Sequence, residues 1–482
     1  MGFFMKLTHG FFVTAFCAVL LVLGGCAAGQ RKPTIMDYKA AVAVGDFVEA
    51  DAVISTYTAP GSAEPGGKTD EFHLQQYLLK AEALRNLQQF PGALRLLDRS
   101  EEVVNGHKSA GGGKRLMRGL LQVGVGEAAD TYRGRTFEKV LINAQKAAIF
   151  LETGDLANAR VEYKRADDRI RRAVSEFSAE IAKEQAKLNA DMTTNPDARV
   201  SQDSSTMEQV NEQFPEIAQW ESYADFVNPI VTYMHALFYL VHGQDASDLN
   251  EAISSFERVA GMVPNNPALL SDLALAKAMQ AGKASHPNEV WILQEDGVGP
   301  YLEPTKIQIP ISRNGIAIQV IIALPKLRTT ENFGGVLTVT ENGKRSELTT
   351  ISLFDRVVQT EFKKRWPMTV ARATLSATIR ALGNYDMARQ GTAGKIFGDI
   401  FNQALSIADT KIWVGLPKHW KMTRVTRPAD GTLRMELDGV ELPAFNLPDT
   451  KFSIVHLRTN GGLVTRAPSI LTKSPFLNIA TR

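Results

Sequence analysis

The stretch GDFVEA at residues 45–50 recurs as GDLANA at residues 154–159, and this repeat decides the fold of the N-terminal half. Each copy places glycine and aspartate first, then an apolar residue, and then alanine three positions after that residue. FPGA at residues 90–93 repeats the apolar residue and the alanine at the same separation. Glycine is the usual residue where a helix must stop. The pattern therefore predicts a helix, a tight turn and a second helix in each copy.

The same spacing extends outward from the three alanines. Twelve and nine positions before each alanine, and four positions after it, the chain carries alanine or a larger apolar or aromatic residue. Small residues let two antiparallel helices cross closely, and larger apolar residues fill the groove beside the crossing. A fourth copy has a longer turn at residues 242–250, and residues 267–280 have the spacing of a single capping helix. The predicted packing positions are Tyr38, Gly45, Ala50, Ala81, Ala93, Ala147, Gly154, Ala159, Ala236, Ala252 and Phe256.

These positions resemble the tetratricopeptide repeat. The resemblance implies a helical repeat domain at residues 34–284 with a concave surface for a peptide or protein. A generic helical bundle is the alternative, because alanine-rich amphipathic helix pairs are common. Between copies, residues 173–219 are mostly polar and predict a long solvent-facing helix, followed by a disordered loop around residues 193–205.

After residue 282 the periodicity changes. Short segments rich in valine and isoleucine, separated by proline or glycine, predict strands. The predicted strands cover residues 289–293, 306–311, 315–324, 337–340, 346–351, 411–414, 421–426, 433–437 and 452–457, with helices at 353–364, 368–382 and 396–407. This order predicts an α+β domain at residues 285–482. The predicted fold class is thus a set of N-terminal helical repeats followed by a C-terminal α+β domain.

One of only two cysteines, Cys26, follows an apolar run in the stretch LVLGGCAAG at residues 21–29. A basic lead, an apolar run and then small residues form the order of a secretion signal. The run is shorter than the roughly 20 residues that a spanning helix needs, so a permanent membrane helix is the weaker interpretation. The residues before Cys26 resemble the bacterial lipobox, which implies a signal peptide at residues 1–25, lipidation of Cys26 and a tether at residues 26–33. A buried cysteine in an ordinary signal or core helix is the alternative.

Lipidation would make Cys26 the first residue of the mature chain, and Cys17 would be lost with the signal. No disulfide, zinc–cysteine cluster or thiol nucleophile would then be left. Acyl chains on Cys26 would tether a soluble body to a lipid bilayer. Ala27 stands where lipoproteins retained in the inner membrane often carry aspartate. Resemblance to outer-membrane lipoproteins therefore favours the periplasmic face of the outer membrane over the inner membrane.

The charge and motif content argues against several function classes. The chain has 54 basic and 52 acidic residues, a balance that gives no electrostatic case for a nucleic-acid partner. His235 and His242 are seven positions apart, but no carboxylate stands at the offset of a His-Glu-x-x-His metal site. Residues 394–395 lack the rest of a phosphate-binding loop, and no serine-hydrolase elbow is present. The sequence therefore predicts no catalytic residues, no metal and no cofactor.

The stretch DTKIW at residues 409–413 is the polar cluster that best suggests a function. It lies where a predicted helix ends and a predicted strand begins. Asp409, Lys411 and Trp413 are candidate binding residues. The alternative makes Asp409 a turn residue and Trp413 a core residue.

The order of these features resembles a group of bacterial tetratricopeptide lipoproteins described mainly as uncharacterised. The residues that carry this resemblance are Tyr132-Arg133-Gly134, Phe137-Glu138, Gly154-Asp155, Val161-Glu162, Arg165-Ala166, Glu295-Asp296-Gly297, Gly299-Pro300, Ala408-Asp409-Thr410-Lys411, Trp413 and Leu416-Pro417. The family more usually carries arginine at the position of Lys411. The resemblance implies no established activity and an association with cell-envelope or peptidoglycan maintenance. We therefore expect a non-enzymatic scaffold with an envelope protein as partner. A cell-wall enzyme or ligand-binding protein that uses the C-terminal domain is the alternative, and the oligomeric state stays open.

Overall fold

The computed structural model describes residues 34–57, 74–109, 132, 134–223, 226, 228–284, 288–313, 315–330, 334–341, 343–388 and 408–474. The predicted signal peptide, Cys26, the tether and the predicted helix at residues 396–407 lie outside the described residues. No helix among the described residues is long and apolar enough to cross a membrane.

The N-terminal half consists of helices that follow one another in pairs. The first members of the pairs are α1 (Ile35–Val44), α3 (Leu74–Asn86), α5 (Thr136–Glu152) and α9 (Pro229–His242). The second members are α2 (Phe47–Thr56), α4 (Phe90–Ser109), α6 (Leu156–Thr194) and α10 (Ala246–Met262), and α11 (Pro267–Gln280) follows the last pair. The prediction that this half is helical is confirmed.

The turns inside two pairs have the same chemistry. Gly45 and Gly154 adopt φ of 77° and 79°, the left-handed region in which a residue with a Cβ atom is strained. Asp46 and Asp155 then cap the next helix, because each carboxylate accepts a backbone N–H three residues on. The alanines at the predicted crossings are at most 1% exposed: Ala50, Ala81, Ala93, Ala147, Ala159, Ala236 and Ala252.

The polar excursion after the third pair is packed rather than disordered, so that prediction is wrong. Helix α6 runs to Thr194, and a 3₁₀ helix (Pro196–Gln202), α7 (Ser204–Asn211) and the single turn α8 (Glu216–Gln219) follow it. Ala198 and Val210 from these elements are fully buried in a second hydrophobic core. This segment needs few apolar residues of its own, because most of the second core comes from two strands and a helix of the C-terminal half.

The C-terminal half contains the strands β1 (Glu289–Asp296), β2 (Tyr301–Arg313), β3 (Ile316–Arg328), β4 (Leu337–Glu341), β5 (Lys344–Glu347), β6 (Thr349–Leu353), β7 (His419–Thr426), β8 (Thr432–Leu437), β9 (Val440–Glu441), β10 (Phe445–Asn446), β11 (Ser453–Asn460) and β12 (Leu463–Lys473). The first sheet has the order β12-β11-β1-β7-β6, with β1 parallel to β11. The second has the order β10-β8-β4-β5, and β2 and β3 form a separate hairpin. Helices precede strands along the chain as predicted, and the protein is a mixed helical and sheet fold.

Two predictions of local structure in this half are wrong. Residues 353–364 and 368–382 belong to a single helix, α12 (Phe354–Ala388), although Pro367 lies inside it. Proline removes a helical hydrogen bond, but Trp366, Met368 and Val370 around it are buried in the second core, and this packing keeps the helix continuous. Residues 411–414 are irregular rather than a strand, because their backbone groups bond to helix side chains instead of a neighbouring strand.

The first sheet lies between the helices and the second sheet. Trp291 and Leu293 of β1 pack into the hydrophobic core that contains residues of the helix pairs, whereas Val290 and Ile292 pack against strands of the second sheet. Alternate residues of a strand point to opposite faces, so a strand buried on both faces reads as a continuous apolar run. The largest core therefore extends across the predicted domain boundary at residues 284 and 285.

Candidate functional site

The predicted binding residues lie in the segment at residues 408–416, which we call the strap. The strap contacts the first helices of three pairs, α1, α3 and α5, and lies shortly before β7 in the chain. Trp413 is fully buried, Lys411 is 9% exposed, and the side chain of Asp409 is 30% exposed. A binding role for Asp409 and Lys411 stays a prediction, and Trp413 contacts the hydrophobic core.

Helix side chains hold the strap by its backbone. Gln75 of α3 donates to the carbonyl oxygen of Ile412 at 2.9 Å, and the backbone N–H of Trp413 donates to Oε1 of Glu138 at 2.6 Å. Burial raises the pKa of Glu138, although its carboxylate also accepts from Tyr132 and from the backbone N–H of Arg135. These bonds explain why the strap needs no neighbouring strand.

The ends of the strap are held by charge and by close packing. Nη2 of Arg135 lies 3.5 Å from Oδ2 of Asp409. Near the other end, Gly415 has φ of 93°, and a Cβ atom there would lie 2.8 Å from the ring of Tyr38. Tyr38, predicted as a repeat-packing residue, therefore also positions the strap. The strap, a segment of the same chain, therefore covers part of the first helices α1, α3 and α5.

A buried ion cluster joins the helix pairs to the first sheet beside the strap. Its members have side chains at most 4% exposed and come from α3, α5, β1, β11 and β12: Glu82, Arg85, Glu152, Glu295, His456, Arg458 and Arg466. Nη1 of Arg458 lies 2.7 Å from Oε1 of Glu82, and Nη1 of Arg85 lies 3.3 Å from Oε1 of Glu295. Three carboxylates thus face three guanidinium groups across the junction of the two halves.

Burial and charge act in opposite directions on this cluster. Burial disfavours the ionised form of Glu295, but Arg85 and the ring of His456 hold the pKa of its carboxyl well below its usual range. Burial lowers the pKa of His456, although Oε2 of Glu295 lies 3.4 Å from its Nε2. The cavity beside Arg85 and Glu295 has a volume of about 50 Å³. A second cavity, beside Arg135 and Ile412 of the strap, has a volume of about 30 Å³. Both are far smaller than the roughly 300 Å³ at which ligand pockets begin.

A larger and more polar space lies between α4, α5 and α6, and we call it the charged cleft. Its volume is about 560 Å³. The residues that line it are Asp98, Glu101, Glu102, Asn105, Lys146, Arg165, Asp168, Arg169 and Arg172. Lys146 is held by carboxylates on three sides, whereas the side chains of Arg165 and Arg172 are 54% and 57% exposed. The cleft therefore offers exposed charges of both signs.

The two histidines singled out in the sequence do not meet. Nε2 of His242 lies 3.0 Å from Oγ1 of Thr472 on β12, and burial lowers its pKa to about 4. His235 lies instead beside Asp167 and Glu251, which come from α6 and α10. The spacing of residues within α9 could not reveal those carboxylates.

Comparison of the chain with protein-family models, with curated proteins and with solved structures finds no match.

Sequence reasoning missed the buried ion cluster. The pattern in β11 was misleading, because His456 and Arg458 alternate with Val455 and Leu457 in a strand that proves to be buried on both faces. Polar residues at alternate positions normally indicate a solvent face. Only the helices packed on that face show that these charges are enclosed.

Proposed function

We propose that this chain is a membrane-anchored lipoprotein of the cell envelope that acts as a protein–protein scaffold and has no enzymatic activity of its own. An acylated Cys26 would hold it on the periplasmic face of the outer membrane. A single acyl chain gives only marginal binding, so the anchor requires more than one. A role in envelope or peptidoglycan maintenance rests on the family resemblance.

The observation that carries the proposal is that the first and second helices of the pairs have different surroundings. The strap and the first sheet cover the first helices α1, α3 and α5. The charged cleft is lined mainly by the second helices α4 and α6 and contains exposed ionic side chains. A protein partner would therefore bind at the cleft and not on the faces of α1, α3 and α5 that the strap and the first sheet cover.

We also infer that the helix pairs are tetratricopeptide-like repeats. Support comes from the small residue buried at the predicted crossing of each pair and from the shared glycine–aspartate turn of two pairs. Such repeats stack one on the next and expose extended surfaces along the stack.

The alternative is an enzyme or a ligand-binding protein of the cell wall that uses the C-terminal half. The cavities of about 30 and 50 Å³ beside the strap and the ion cluster do not favour it, because neither has room for a substrate. The charged cleft is large enough for a small molecule, but small-molecule pockets are predominantly apolar, and every residue lining this cleft is polar or charged.

Site-specific photo-crosslinking tests the cleft as the partner surface. A photoreactive residue at the position of Asp168, inside the cleft, should capture a defined envelope protein. The same residue at the position of Glu257, exposed on α10, should not. The captured protein should bind the variant Arg165→Glu, Arg172→Glu about tenfold more weakly, a loss of about 1.4 kcal/mol. Equal capture from both positions, or turnover of a defined cell-wall substrate by the purified chain, would overturn the proposal.

Intact mass and membrane fractionation test the anchor. The expressed chain should start at Cys26, carry the mass of lipid and fractionate with membranes, and Cys26→Ala should abolish the modification. Cys17→Ala is the matched control and should be processed as the unaltered chain is. A soluble and unmodified chain would remove the anchor from the proposal.

A further inference from the structure

Helices α6, α9 and α10 meet at a cluster of metal-ligating side chains that the proposed scaffold does not use. Asp167, His235 and Glu251 each offer one ligand atom, and these atoms lie within 4.8 Å of one another. Asp167 and His235 are buried, and the side chain of Glu251 is 39% exposed. The cluster is therefore built on three regular helices and opens to solvent on the side of Glu251.

His235 is oriented as a histidine ligand would be. Its Nδ1 lies 3.1 Å from Oγ of Ser255, which leaves Nε2 directed at the carboxylates. Nε2 lies 3.9 Å from Oε1 of Glu251, too far for a hydrogen bond. The side chain of His235 is 3% exposed, and Ser255 fixes the orientation of its ring. Metal-bound histidines usually have a hydrogen-bond partner of this kind on the other ring nitrogen.

Two arginines neutralise the carboxylates in different ways. Arg258 pairs with Oδ1 of Asp167. Arg171 bridges both acids, with Nε 2.7 Å from Oδ2 of Asp167 and Nη2 3.7 Å from Oε1 of Glu251. The side chain of Arg171 is 60% exposed, and ion pairs of this exposure contribute about 0–1 kcal/mol. Arg171 thus occupies the place of a cation and could leave it at little cost, while Arg258 could stay and orient Asp167.

Tyr239 supplies a further unsatisfied group next to the cluster. It is 1% exposed, its ring centroid lies 4.9 Å from that of His235, and its hydroxyl has no hydrogen-bond partner in the part of the chain that the structure describes. A buried tyrosine whose hydroxyl can still form a hydrogen bond therefore lies against the ring of His235.

We propose that His235, Asp167 and Glu251 bind one divalent transition-metal ion, for which Zn²⁺ is the probe, in competition with Arg171. Zn²⁺ binds nitrogen and carboxylate oxygen at about 2.0–2.2 Å, so the three ligand atoms would close to roughly 3.4 Å from one another. The exposed side chain of Glu251 has the freedom for that movement. The ion would cross-link the third helix pair to the fourth and leave a position for water.

Calorimetric titration of the untagged chain with Zn²⁺ tests the site, with the visible spectrum of bound Co²⁺ as a second readout. We expect one ion per chain, loss of binding in His235→Gln, and binding about tenfold tighter in Arg171→Ala because the competing cation is gone. Arg434→Ala is the matched control, since the side chain of Arg434 is 51% exposed and pairs with Asp430 away from the cluster, and it should leave the affinity unchanged. His242→Gln controls for a histidine outside the cluster.

Two outcomes overturn the proposal. One is a wild-type chain that binds no Zn²⁺, and the other is a chain that binds it equally well with and without the imidazole of His235. Should His235→Gln fail to fold, Glu251→Gln replaces it, because Glu251 lies at the surface and its loss should still weaken binding at least tenfold. The proposal is independent of the membrane anchor and of any protein partner.

Discussion

Replacement of Gly45 by alanine should destabilise the protein much more than the same replacement of Gly154. Both glycines end the first helix of a pair, and both have φ near 78°. A left-handed residue with a Cβ atom costs about 1–2 kcal/mol, and the stiffer unfolded chain returns about 0.4–1 kcal/mol, so each variant should lose about 1 kcal/mol from backbone strain alone.

The difference comes from the surroundings of the two turns. A Cβ atom at position 45 would lie 2.8 Å from the backbone oxygen of Thr465 and 2.9 Å from its Cα atom, whereas a Cβ atom at position 154 would have nothing within 4 Å. The backbone of Thr465 cannot move aside as a flexible side chain can, so overpacking should lower the free energy of unfolding of Gly45→Ala by about 1–3 kcal/mol more. The total for Gly45→Ala is then about 2–4 kcal/mol.

Urea unfolding of both variants, followed by circular dichroism, measures this difference directly. The strain and the unfolded-state terms cancel between the two variants, so the difference between their free energies of unfolding reports the contact of the turn with β12. A difference below about 0.5 kcal/mol would refute the reasoning, because the turn would then not pack against Thr465. If the free energy of unfolding of one variant also changes its dependence on urea concentration, that variant has altered the compactness of its unfolded state, and the two variants have to be compared after correction for this effect.

Three further predictions concern buried groups. Arg458→Met should lower the free energy of unfolding by about 3–5 kcal/mol because it leaves the buried carboxylate of Glu82 without this partner. Arg434→Met, which breaks an exposed ion pair, should lower it by only about 0–1 kcal/mol. Urea unfolding measures both variants. The pKa of His242 is about 4 in the folded protein and near 6.5 in the unfolded chain. The unfolded chain therefore binds the proton first, and the free energy of unfolding should fall as the pH drops from about 6.5 to 4. This fall should be smaller in His242→Gln when unfolding is measured at pH 7 and at pH 5. Trp413→Ala should cost about 3–5 kcal/mol as a core truncation, and Asp409→Asn under about 1 kcal/mol; a small loss for Trp413→Ala would show that it does not act as a core residue.

The helix pairs were predictable because their signals are local. A glycine that must adopt positive φ, an aspartate cap and a small residue at each crossing all lie within about 15 residues of one another, as in the turn at Gly154 and the crossing at Ala159. Strands with continuous apolar runs, such as β1, were equally predictable from the sequence. Helix α12 was not, because packing on both sides of Pro367 outweighs a local signal for interruption.

The candidate sites depended on contacts between distant residues. The sequence predicts a strand at residues 411–414 that follows a turn at Asp409, but Glu138 and Gln75 on distant helices hold this segment as an irregular strap. His456 lies in the predicted strand at residues 452–457, and no spacing rule connects it to the other members of the buried ion cluster.

The sequence by itself determined the helix pairs, most of the strands and the order in which they occur, because backbone conformation and hydrophobic periodicity are local properties. Only the tertiary structure decided which face of the helices the sheet covers and which charges become buried partners. It also brought Asp167 and Glu251 to His235, although 68 residues separate the first of these from the histidine. Such proximity arises from the packing of helices, and neither the spacing nor the composition of a single segment contains it.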